Sequence, residues 1–143
     1  MSEQVGNVRT LLEVLCWPAA HQRERIAYRF LADEALPVAR CSTTTWTYVE
    51  LYQRVQPIAT ELTMHDGLVV QPDLLVYQPG LELIAAFLSF LSAGAIATLL
   101  PPPRRHESLA RRQNIMTDAN RAGVLTTQSL LSDIALLARP RYF

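Results

Sequence analysis

The sequence contains no lysine: all thirteen basic residues are arginine. An arginine side chain stays charged at any ordinary pH and forms no Schiff base, so chemistry that needs a nucleophilic amine, or the lysine of a nucleotide phosphate loop, is excluded for these residues. Glycine is scarce, five in 143 residues, at positions 6, 67, 80, 94 and 123. No two are close enough for a GxGxxG or Walker-type loop. The only cysteines, Cys16 and Cys41, fit neither a CxxC pair nor a zinc spacing, and read as buried free thiols. Formal net charge is zero, so no general attraction to nucleic acid or anionic lipid is indicated. The opening MSEQVGNVRT is polar and lacks a signal-peptide pattern, which favours a cytoplasmic setting.

Half of the residues are hydrophobic, enough for a globular core. The longest apolar stretch, Leu81–Leu100, holds one charged residue, Glu82, and is long enough to cross a bilayer. Gly94 and the proline triplet Pro101–Pro103 argue instead for a buried helix, a glycine turn and a strand, with Leu88 in the core. A single membrane span is the less favoured alternative.

Around this stretch the chain alternates. Val8–His21 carries Leu11, Leu12, Leu15 and Ala19 at helical spacing, with Asn7 or Thr10 as candidate caps. Arg25–Leu31 sets Ile26, Tyr28 and Phe30 against Arg25 and Arg29, the pattern of a half-buried strand. Ala32–Arg40 reads as a connection, and Cys41–Thr47 as a second, β-branched strand. Tyr48–Met64 is helical, with Val49, Tyr52, Val55, Ala59 and Leu62 on one stripe, a Thr47/Glu50 capping box, and Pro57 expected to bend or interrupt it. Asp73–Tyr77 is a short strand apolar on both faces. Polar His106–Asn120 (helix), Ala122–Thr126 (strand) and Thr127–Leu137 (helix) follow. From Asp73 onward, strand–helix alternation implies a parallel sheet with covering helices.

Candidate chemistry is sparse. QPGLE, at residues 78–82, places one glycine at a helix start, where an anion could bind, although a plain strand-to-helix turn needs nothing more. Ser42–Thr45 fits a strand better than a phosphate cradle. His21, His65 and His106 have no metal-ligand spacing and no arranged acid–base partner, and there is no GxSxG elbow. Arg104, Arg105, Arg111 and Arg112 form the one basic cluster, two pairs seven residues apart on one helical face. Such a face is ordinarily solvated; its functional reading is a docking patch for an acidic partner or a phosphate. No catalytic, cofactor-binding or metal-binding residue is assigned.

Several segments, in order, resemble a known family. TTWTYVEL (Thr44–Leu51) resembles the first core motif of adenylate-forming enzymes, and LSAGAIA (Leu91–Ala97) their second. RIAYRFL (Arg25–Leu31), Tyr77–Arg105 and Ser108–Thr127 resemble more specifically the N-terminal end of a fatty-acyl-AMP ligase. The likeness runs from about residue 8 to 131, so residues 1–143 read as an incomplete N-terminal ligase-like domain. The implied fold is α/β, part of that domain's first subdomain, with a mostly parallel sheet, flanking helices and an N-terminal strand pair.

As a full-length enzyme the family activates a fatty acid with ATP, and by implication Mg, to an acyl-adenylate that passes to an acyl carrier protein. Its phosphate loop, Tyr-Gly-x-Thr-Glu segment, ribose-binding aspartate and catalytic lysine have no counterparts in these residues. Asp73 stands in place of the family's usual basic strand start, Gln78 in place of a common proline, and Thr98–Leu100 in place of a Val-Pro-Ala-like sequence; Arg139–Phe143 matches nothing in the family. The expectation is therefore a fragment or truncated paralogue of a fatty-acyl-AMP ligase, inactive alone. Its expected partners are the rest of a ligase or an acyl carrier protein, with no nucleic acid and no membrane span. The alternative is a non-catalytic binding module derived from that subdomain.

Overall fold

The computed structural model describes residues 10–31, 42–64, 73–102 and 123–131. The chain divides into two compact units, Met1–Arg54 and Val55–Phe143.

In the first unit, helix α1 spans Leu11–His21. Of the two candidate caps, Thr10 is the one used. Its hydroxyl accepts from the Glu13 N–H and its own N–H donates to the Glu13 carboxylate, both at 3.2 Å, which satisfies two N-terminal donors reciprocally. Leu15 and Ala19 are buried. Leu11 stays 54% exposed, because the buried stripe begins one turn after the helix start.

Strand β1 (Ile26–Leu31) pairs antiparallel with β2 (Thr43–Thr47). The register is irregular between Ile26 and Tyr28. Such a bulge disturbs strict alternation, and the expected inward row is not buried: Ile26 is 47% and Tyr28 42% exposed, while Phe30 is intermediate. The buried anchor of this hairpin is Trp46, with the Arg54 guanidinium 4.2 Å from its ring centroid in cation–π geometry.

Helix α2 covers Tyr48–Met64. The Thr47 N–H donates to Glu50 Oε2 (2.8 Å) and the Glu50 N–H to Thr47 Oγ1 (3.3 Å), completing the expected capping box. The Thr47 N–H and the Thr47 hydroxyl, which donates to the same Oε2 at 3.1 Å, together with Arg54 hold the Glu50 carboxyl below the ordinary range. The buried stripe consists of Leu51, Val55, Ala59 and Leu62; Val49 and Tyr52, placed on it from the sequence, are only half-buried. Pro57 does not interrupt the helix. Pro57 and Gln53, whose carbonyl loses its helical donor, are both exposed, so water can serve that carbonyl.

The second unit is built on a three-stranded parallel sheet in the order β4-β3-β5, where β3 is Asp73–Val76, β4 is Ala97–Leu100 and β5 is Val124–Thr126. Every residue of β3 is buried: Leu74–Val76 as an apolar run in a central strand requires, and Asp73, 1% exposed, with them. Pleating sends its side chains to two cores. Leu75 and Tyr77 pack with Leu62, Ala86, Phe90, Ala93 and Ala95, whereas Leu74 and Val76 pack with Leu100, Val124 and Leu130.

Helix α3 (Leu81–Ala93) contributes Ala86, Phe90 and Ala93 to the first core. It ends at Gly94, whose φ of 73° is left-handed. The Ala95 N–H donates to the Phe90 carbonyl (2.9 Å) and the Gly94 N–H to that of Leu91 (3.2 Å), a Schellman closure. The Leu81–Leu100 stretch is thus helix, glycine turn and strand, with Leu88 buried, as the sequence predicts. No helix among the described residues is long and apolar enough to cross a membrane. After β5 comes a 3-10 turn at Gln128–Leu130; the expected helix beyond Leu131 and the one at His106–Asn120 lie outside the described residues.

Candidate functional site

Open parallel sheets bind ligands in crevices beyond the carboxyl ends of their strands. Here β3 runs out into Tyr77, Gln78 and Pro79, and β4 into Pro101 and Pro102. Between these ends lies a cleft of about 280 Å³, lined by Leu75, Leu83, Leu99 and Leu100 together with those residues. Two prolines directly after β4 stop its ladder, and Pro79 and Gly80 turn the chain from β3 into α3. Thr126 Oγ1 donates to the Val76 carbonyl at 2.6 Å and so fixes the end of β3 from the β5 side.

The cleft is apolar apart from the Tyr77 phenol and the Gln78 amide. Burial, reinforced by nearby Glu82, pushes the Tyr77 hydroxyl up to about 12, so it remains a neutral phenol at physiological pH. Among the described residues, its lining holds no cation, carboxylate or activated nucleophile. It can receive an apolar group or packing segment, and its described residues carry no groups for bond-making chemistry. The described lining also offers a nucleotide or its metal no glycine-rich loop and no positive charge. Among the described residues no cluster of His, Cys, Asp or Glu could hold a metal ion.

The residues singled out from sequence fall elsewhere. Arg104, Arg105, Arg111 and Arg112 lie outside the described residues, as do His65, His106 and Cys41. Ser42–Thr45 leads into and forms part of β2, as the strand reading requires. His21 is exposed, stacks on Trp17 at 4.9 Å between ring centroids, and donates from Nδ1 to the Trp17 carbonyl (2.9 Å). Cys16 is half-buried rather than fully buried, and burial, followed by the Glu13 charge, raises its thiol pKa. At QPGLE the helix N-terminus has no side-chain cap and already carries Glu82 in its first turn, an arrangement of a turn more than of an anion site. The sequence reading missed the cleft itself. Its signal was available, since Gln-Pro-Gly and Pro-Pro-Pro each follow an apolar strand segment, and in a parallel sheet those two strand ends lie side by side.

No protein-family model matches the chain. Comparison with individual proteins does find relatives. Over 128 residues the chain is 34% identical to a medium-chain-fatty-acid–[acyl-carrier-protein] ligase of Moorena producens, covering 87% of this chain and 21% of that protein. It is 30% identical over 130 residues to a long-chain-fatty-acid–AMP ligase of Mycobacterium marinum, covering 91% of this chain and 22% of the relative. Among solved structures, the fatty acyl-adenylate ligase from L. pneumophila, in complex with acyl adenylate and pyrophosphate, superposes with a TM-score of 0.79 at 29% identity, over 94% of this chain and 23% of that one.

The fold and these likenesses place the chain in the class of adenylate-forming ligases. Its relatives in sequence and in structure are fatty-acid AMP ligases, and the chain corresponds to an N-terminal part of such an enzyme. It spans about a fifth of the length of the curated relatives it matches.

Proposed function

We propose that residues 1–143 form an incomplete N-terminal ligase domain, which contributes scaffold, not catalytic groups, to a cytoplasmic fatty-acyl-AMP ligase. In that enzyme a fatty acid reacts with ATP, assisted by Mg, to give acyl-adenylate and pyrophosphate, and the acyl group passes to an acyl carrier protein. The observation that carries this reading is the pairing of similarity along nearly the whole chain with a sequence that has no lysine and no glycine-rich phosphate loop. The β3–α3–β4 unit supplies a rigid wall, and the groups that bind nucleotide and stabilise the transferring phosphoryl come from the rest of the polypeptide.

ATP–pyrophosphate exchange with medium- and long-chain fatty acids tests the proposal. The 143-residue chain alone gives no exchange above a no-protein control. Co-expressed with the complementary segment of a fatty-acyl-AMP ligase, it co-purifies with that segment and melts at a higher temperature. Exchange by the isolated chain overturns the scaffold role. A sharp melt of a dilute monomer that binds no hydrophobic dye and ignores the complementary segment favours an independent binding module instead.

A further inference from the structure

We draw no further inference here: the strongest candidate, the apolar cleft at the carboxyl ends of β3 and β4 between Tyr77–Pro79 and Leu99–Pro102, carries nothing beyond the scaffold role because nothing in the structure shows what covers it.

Discussion

The Ser89 hydroxyl donates to the backbone carbonyl of Val55, thirty-four residues earlier, at 3.2 Å. The same proton is shared with the Ala85 carbonyl of its own helix, the shorter of the two bonds at 2.7 Å. Ser89 is fully buried, so this hydroxyl fastens α3 to the second half of α2 inside an otherwise apolar region. Because Ser89 is the donor and both acceptors are helical carbonyls with main-chain partners, Ser89→Ala leaves no buried donor unsatisfied. The expected loss is about 0.5–1.5 kcal/mol. Ser89→Leu, which must force a larger side chain between the helices, costs about 1–3 kcal/mol. Urea melts of the two variants check this order; equal destabilisation contradicts it.

Phe90 is 1% exposed and joins α3 to Leu62, Leu75 and Tyr77. Phe90→Ala therefore costs about 3–5 kcal/mol, through lost transfer energy and the cavity left behind. Leu99 is 53% exposed at the mouth of the cleft. Leu99→Ala stays within about 0.5 kcal/mol. A denaturation midpoint that moves as much for Leu99→Ala as for Phe90→Ala contradicts the assigned burial.

Gly94 needs its left-handed φ of 73°, while a Cβ there meets nothing within 4 Å. The cost of Gly94→Ala is thus backbone strain alone, about 1–2 kcal/mol. Asparagine tolerates this region better, so Gly94→Asn is the milder change. Thermal melts of both variants give the comparison.

Two titrations have opposite signs. The folded chain holds Tyr77 protonated up to about 12, against an ordinary value of 10.0. Between these values the unfolded chain releases the proton first, so stability falls as pH rises through the window and levels off above it. Tyr77→Phe removes that alkaline loss, read by melts across the same range. The Glu50 carboxyl is held below its ordinary 4.5. Its contribution is present above that pH and is lost as pH falls through the lowered folded value. Glu50→Gln removes this acid-dependent part, and Thr47→Ala, which deletes the cap, costs about 0.5–2 kcal/mol near neutrality.

Much of the fold was legible because local and tertiary signals agree. The Thr47/Glu50 box starts α2 in the structure as in the sequence, and Gly94 with Pro101–Pro103 resolves the apolar stretch into helix and strand. The errors have physical causes. The Ile26–Tyr28 irregularity defeats a period-two reading of β1, since a bulge leaves no mark in the alternation of residue types. Pro57, expected to bend or interrupt α2, does not interrupt it, and both Pro57 and Gln53, whose carbonyl it deprives of a donor, are exposed. For the cleft, Gln-Pro-Gly and Pro-Pro-Pro mark the two strand ends, but that β3 and β4 are neighbours is a fact of sheet order that no local pattern contains.

That sheet order also sets a timetable for synthesis. Strand β3 meets β4 in the register Asp73↔Ala97, a separation of 24 residues, and β5 in the register Leu74↔Val124, a separation of 50. The second neighbour is thus made 26 residues after the first. At a ribosomal rate of about 5–20 residues per second, β3 spends about 1–5 s with one edge paired and the other waiting. An open edge on an apolar strand is a template for the wrong partner. The nascent chain is therefore most exposed to misassociation after Leu100 has emerged and before Thr126 has.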